Sequence, residues 1–346
     1  MKVFDVLVIG GGPAGAAAAI RTAQLGRSVC LVDRSKPGDF KIGESLPPAV
    51  TRLLEDLGAS AALESGIASP SYGNQSAWGG PELRDTDFIR DPAGHGWHID
   101  RAGFDVALRA VALKNGANVS GPTRVSRASM WRAMLENETI EARWLIDCGG
   151  RTSSFARSQS VARKSYDRLI AIVSEFASAD EDSRTLVESA PCGWWYTSLL
   201  PCGRRVVVFH TDAGSHEARS AEGFDALLAS TVHVRGKVMQ PAGRLTVVSA
   251  ATTRLEHFHG DRWLAAGDAA MSFDPLSSQG IYTALYSGMK AAEAAAQDSG
   301  AEYGETLNRI FDAYLERRRI HYAEETRWSD SSFWAHAFAV NADDDH

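Results

Sequence analysis

Residues 3–9 read VFDVLVI, a short β-branched run with no turn residue, which predicts a buried strand of a parallel sheet. Six residues, Gly10-Gly11-Gly12-Pro13-Ala14-Gly15, follow at once. An alanine-rich helical stretch, 16–25, then ends at Gly26, and 28–32 supplies a second strand closed by Asp33. This is a strand–turn–helix–strand unit. A second such passage lies near the C-terminal end. Residues 263–270 predict a strand entering a Gly-Asp turn, and 282–297 a helix of small residues. Between them, 193–200 and 204–211 predict two strands of a hairpin joined by Pro201-Cys202-Gly203. Alternation puts Trp194 and Tyr196 on one face of that hairpin and Trp195 on the other. Residues 303–322 carry Leu307, Ile310, Phe311, Tyr314 and Leu315 at helical spacing. Arg317, Arg318 and Arg319 read as a solvated face of that helix, with a partner-docking patch as the sharper alternative, and 343–346 as a frayed tail.

Composition narrows the classes. The 346 residues are 44% apolar and 23% charged, as in ordinary globular chains, with a formal net charge of -7. A pI near 5.8 argues against nucleic acid, which needs a basic face. No apolar stretch has transmembrane length, and no signal peptide is expected ahead of the first strand. Cys30, Cys148, Cys192 and Cys202 lack metal-site spacing, which predicts reduced thiols in a cytoplasmic protein. His257 and His259 have no acidic ligands around them, so no metal is expected.

The glycine spacing has a chemical reason. Gly10 permits the tight turn, Gly12 lets backbone approach a pyrophosphate, and Gly15 lets the helix pack against the sheet. Pro13 fixes the turn into the helix, whose start from Ala14 onward turns free N–H groups on the phosphates, while Asp33 accepts from a ribose hydroxyl. Asp268 ends the later strand, and Gly280-Ile281 opens the later helix. A carboxylate followed by a helix start suits a polyol chain and an anionic ring edge, which FAD carries in its ribityl chain and isoalloxazine. No second G-x-G-x-x-G follows residue 15. Reducing equivalents are therefore expected from transiently bound NAD(P)H or a separate flavin reductase.

These motifs, with Asp147-Cys148-Gly149-Gly150-Arg151-Thr152-Ser153, resemble the single-component flavoprotein monooxygenase and flavin-dependent halogenase superfamily. Cys148 and Gly149 depart from its usual D-A-x-G-R-x-S. Gly43-Glu44-Ser45-Leu46-Pro47-Pro48 looks like the flavin-flanking loop of the halogenase-like branch. Residues 98–105 look like a D-R-x-x-F-D helix start whose arginine, Arg101 here, contacts FAD. The resemblance implies an α/β fold: a glutathione-reductase-like FAD-binding Rossmann domain with an inserted antiparallel-sheet substrate domain. Its expected parts are 1–72, 96–160 and 255–300 for FAD, 73–95 and 161–254 for substrate, and 301–346 as a helical segment. Arg34, Glu44, Ser45, Arg101 and Val125 join the expected cofactor contacts.

The halogenases of this branch need a lysine in the strand after the Gly-Glu-Ser loop and a glutamate in P-L-E-S-T-G. Here residues 71–78 contain no lysine, and Pro275-Leu276-Ser277-Ser278-Gln279-Gly280 has Ser277 in the glutamate's place. Residues 191–201 and 204–212 look closer to the flavoproteins that mature tryptophylquinone cofactors in amine and amino-acid oxidases. That likeness implies oxygen transfer to a tryptophan of a partner quinoprotein precursor. The expected catalytic residues are Glu44, Trp195, His210, Asp274 and Pro275. A halogenase, a flavin-containing maturation factor that mainly binds its partner, and a flavin-linked double-bond reductase stand as alternatives.

Overall fold

The first strand, Lys2–Ile9, lies parallel between Thr139–Asp147 and Val29–Val32. This computed structural model describes residues 2–34, 41–64, 66–121, 124–135, 138–152 and 154–339, so Ser153 and the tail 343–346 lie outside it. The sheet runs in the order His259–Gly260, Trp263–Ala265, Thr139–Asp147, Lys2–Ile9, Val29–Val32, Asn118–Ser120. A hairpin, Arg124–Arg127 with Trp131–Met134, adds antiparallel to Thr139–Asp147. Leu7 and Val8 in the central strand are wholly buried, as a strand covered on both faces requires.

Helix Pro13–Gln24 packs against Gly280–Gln297 through small side chains. Ala16, Ala17, Ala18 and Ala19 are all buried. A Cβ added at Gly288 would stand 2.1 Å from the Ala14 carbonyl oxygen, so the two helices need glycine at their crossing. That close approach fixes both helix N-termini relative to each other. Among the described residues no helix is long and apolar enough to cross a membrane.

The second large sheet runs Val238–Pro241, Leu169–Ser178, Arg204–Asp212, Gly193–Leu199, Thr185–Ala190, Gly73–Ala77, Arg84–Asp87, with Thr246–Ser249 also on Leu169–Ser178. The expected hairpin is present, with Trp194 opposite His210 and Tyr196 opposite Val208. The sheet is not wholly antiparallel, however. Gly73–Ala77 enters from far upstream and pairs parallel with Thr185–Ala190. Two three-stranded sheets join the layers: Arg163–Ser165, Thr253–Leu255 and Met271–Ser272, then Ser45–Leu46, Gly96–Ile99 and Ala68–Ser71.

The helical end comprises Gly300–Ala323 and Ser332–Ala339. It corrects one expectation. Arg317 and Arg319 are exposed, but Arg318 is buried, 3.2 Å from Asp167 and 3.3 Å from Asp274. Tyr314, Arg318 and Tyr322 stand one turn apart on the inward face, where two carboxylates offset the burial of the guanidinium.

Candidate cofactor and substrate site

The nucleotide turn is built from three glycines with three different tasks. Gly10 has φ +96°, and a Cβ there would fall 2.3 Å from the Cys148 carbonyl oxygen. At Gly15 a Cβ would come 1.7 Å from the Gly10 carbonyl oxygen, so helix and turn touch backbone to backbone. At Gly12 a Cβ would meet nothing within 4 Å, because this residue faces open space. It is also the N-cap of Pro13–Gln24 and has no side chain to occupy the first N–H groups. An anion fits there. Asp33 follows Val29–Val32 and sits under Gly11, where a Cβ would be 2.6 Å from its Oδ2. Arg109, missed in the sequence because it lies outside every motif, donates to the Gly11 carbonyl at 2.9 Å and lies 3.5 Å from Asp33.

A cavity of about 1010 Å³ runs from this turn to the second large sheet. Its wall includes Gly10, Gly12, Pro13, Ala14, Asp33, Arg34, Glu44, Ser45, Arg101, Val125, Asp268, Gly280 and Ile281, thirteen of the fourteen expected cofactor contacts. Gly15, the fourteenth, lies behind the wall, as its packing task requires. Gly280 opens the 18-residue helix Gly280–Gln297, whose N-cap Gln279 makes no capping bond, and a Cβ on Gly280 would meet nothing within 4 Å. The cavity thus has two open helix starts and two carboxylates, Asp33 and Asp268, in its wall. These residues fit FAD.

Arginines brace this wall. Arg101 Nη1 donates to the Ile42 carbonyl at 2.7 Å, tying the Glu44 loop to the helix Arg101–Lys114, which Asp100 caps. Lys41 and Arg101 converge on the buried Asp105, at 2.7 and 3.4 Å. Arg151 Nε reaches Asp268 at 3.2 Å, and its other nitrogens donate to the carbonyls of Ala251 (2.6 Å) and Phe273 (3.2 Å). Its motif was legible in the sequence, but this bracing was not.

The expected catalytic residues divide. Glu44 is buried in the wall, accepting from Gly43 N (3.2 Å) and Ser198 Oγ (3.3 Å), and burial raises its pKa above the usual carboxylate value. Nearby Tyr196 has its phenol pKa raised by burial and by the Glu44 charge. His210 lines the cavity with its ring stacked on Trp194, centroids 3.6 Å apart and planes at 14°. Burial brings its pKa down to about 3, so the imidazole is neutral and too weak a base to take a proton near neutral pH. Asp274 has both oxygens occupied: Oδ1 accepts from Leu276 N (2.9 Å), and Oδ2 from Tyr322 Oη (2.6 Å) and Arg318 Nε (3.3 Å). It holds the turn started by Pro275, in which Ser278 adopts φ +50°.

Trp195 is a correction. It does not line the cavity. It points from the other face of the sheet into a cluster with Phe209 (4.5 Å) and Phe224 (5.1 Å). The alternation along the strand holds, but which face meets the cofactor depends on how the sheet docks.

A dinucleotide turn, a second open helix start and one cavity spanning both sheets mark an FAD-binding flavoprotein. The chain belongs to the FAD binding domain family, whose profile matches residues 3–329. The putative FAD-dependent oxidoreductase LodB of Marinomonas mediterranea is 29% identical over 365 residues, covering 99% of each chain. Among solved structures, QhpG, a peptidyl tryptophan dihydroxylase essential for tryptophylquinone cofactor biogenesis, superposes with TM-score 0.82 at 24% identity, over 97% of this chain and 79% of its own. The myxobacterial chondrochloren halogenase CndH gives 0.85 at 24% identity, over 99% and 88%. Both show the same fold.

Proposed function

We propose that this chain is an FAD-dependent monooxygenase that hydroxylates a tryptophan side chain of a partner, a quinoprotein oxidase precursor, during maturation of its quinone cofactor. The observation that carries this reading is the chemistry of the cavity wall. Its second-sheet part consists of Ala171, Tyr196, Val208, His210, Val248, Ser249 and Ala250, none of them charged. A free amino acid would bring a carboxylate against these seven residues with no cationic partner among them. An indole attached to a polypeptide brings one flat apolar ring and a single N–H. The likeness to QhpG supports the same direction, and the end-to-end match to LodB supports an FAD-dependent oxidoreductase.

When bound and reduced, the flavin supplies oxygen activation and transfer; NAD(P)H or a separate flavin reductase supplies its electrons. The protein's own part is orientation and exclusion of water. Gly12 and the two helix starts hold the cofactor, Asp274 fixes the Pro275 turn, and the neutral His210 offers a hydrogen bond without a charge. Tyr196 and Val208, paired across the hairpin, line the cavity.

The likeness to CndH favours halogenation as a second reading. Against it, Lys41 is the cavity's one lysine among the described residues, and its ammonium is paired with Asp105 at 2.7 Å. Ser277, where those halogenases carry glutamate, donates to the Asp274 carbonyl at 3.0 Å.

The test is mass spectrometry of products from the reduced holoenzyme under labelled dioxygen, with free tryptophan and a quinoprotein precursor side by side, with and without bromide. Label in the precursor alone is the expected result. Halide-dependent mass in any product would make the halogenase reading correct. Peroxide release with both substrates unmodified would end the oxygen-transfer reading in favour of a binding factor or a reductase.

A further inference from the structure

One buried hydroxyl joins the two walls of the cavity. On the substrate side, Trp194 backs His210 from within the sheet; on the cofactor side, Asp274 sets the turn Pro275–Ser277. Tyr322, on helix Gly300–Ala323, stands between them. Its Oη accepts from Trp194 Nε1 at 3.1 Å and donates to Asp274 Oδ2 at 2.6 Å. Neither Trp194 nor Tyr322 lines the cavity, and both are at most 1% exposed. The carboxylate cannot swing freely, because Leu276 N holds its other oxygen at 2.9 Å.

The same oxygen atom therefore satisfies an indole N–H from one wall and a carboxylate from the other. In a dry interior each unpaired group carries a full desolvation penalty, so the two walls are locked in one register. Arg318 adds charge on Asp274 but makes no hydrogen bond to Trp194, and so cannot replace the link. We propose that Tyr322 is a positioning residue that couples the Trp194–His210 stack to the cofactor-side turn, so that the setting of the substrate wall is felt at the flavin. The inference depends on FAD binding and is independent of whether oxygen or halogen is transferred.

The experiment compares wild type, Tyr322→Phe, Trp194→Phe and the double variant. It reads FAD affinity by flavin fluorescence titration, the visible circular dichroism of the bound flavin, and the melting temperature. Tyr322→Phe keeps the ring and its contacts with Trp78 and Trp334 (centroids 5.7 and 5.9 Å) and removes only the hydroxyl. Each single variant is expected to weaken FAD binding about tenfold, the scale of one stranded buried polar group, and to alter the flavin dichroism. The double variant should be no weaker than Tyr322→Phe, because both changes break one link.

Two results overturn the proposal. One is unchanged FAD affinity and dichroism with only a lower melting temperature. The other is single losses that multiply in the double variant. Should Tyr322→Phe fail to fold, Trp194→Phe decides alone: wild-type affinity and dichroism in that variant sink the idea.

Discussion

Gly12 and Gly15 lie three residues apart and should respond to alanine in opposite ways. A methyl group at Gly12 meets no protein atom, so Gly12→Ala should melt within about a degree of wild type without cofactor, yet bind FAD at least tenfold more weakly by blocking the phosphate approach. At Gly15 the methyl would sit 1.7 Å from the Gly10 oxygen, so Gly15→Ala should melt several degrees lower even without FAD. Thermal melts of cofactor-free protein and flavin content after loading separate the two. Burial holds His210 near pKa 3 and His98 near 4, against 6.5 for a free imidazole. The unfolded chain therefore takes up protons first as pH falls. Stability from these two groups is complete above pH 6.5 and is lost progressively toward pH 3. His210→Phe, which keeps an aromatic ring against Trp194, should reduce the slope of melting temperature against pH between 6.5 and 4 without abolishing it, since His98 remains. The glycines were legible in the sequence because the reason for each is local. Trp195 and Arg318 were not, because their surroundings are set by residues distant in sequence.

The terminal helices turn an aromatic face toward the second sheet. Trp334 is wholly buried against Trp78 (5.3 Å), Tyr322 (5.9 Å) and Phe333 (5.2 Å), and its Nε1 donates to the Ala190 carbonyl at 3.0 Å. Trp334→Ala should destabilise the protein by about 3–5 kcal/mol, the range for emptying a large aromatic site. Denaturant unfolding measures this. Periodicity revealed the strong elements: the first strand, the helix after the glycines, the hairpin and the long helix near the end all appear close to their expected bounds. The weaker ones escaped. Gly73–Ala77 reads GNQSA, with too few large apolar residues to announce itself by pattern; the family likeness alone marked 71–78 as a strand, and one of its two partners, Thr185–Ala190, lies more than a hundred residues downstream. The hairpin Arg124–Arg127 with Trp131–Met134 is mostly exposed and carries little apolar pattern.

At the scale of the whole molecule, the cofactor should act as an internal strut. Its site draws on residues from Gly10 to Ile281, so a ligand there favours the folded chain over the unfolded one. Saturation at about a hundred times Kd should add roughly 2.7 kcal/mol. A melting scan with FAD should therefore show an upward shift in wild type that Gly12→Ala largely loses. The fold class followed from the family resemblance that the motifs carry, whereas the docking of the two sheets around one cavity was not legible, because it depends on packing that no single segment encodes. The strand pairing also bears on synthesis. Lys2–Ile9 is made well before one of its neighbours, Thr139–Asp147, and the strand beyond that, Trp263–Ala265, follows later still. Gly73–Ala77 likewise waits for Thr185–Ala190. A nascent chain arrested before Thr139 should carry unpaired strand edges destined for both sheets at once, leaving it open to protease and dependent on chaperones until those partners emerge.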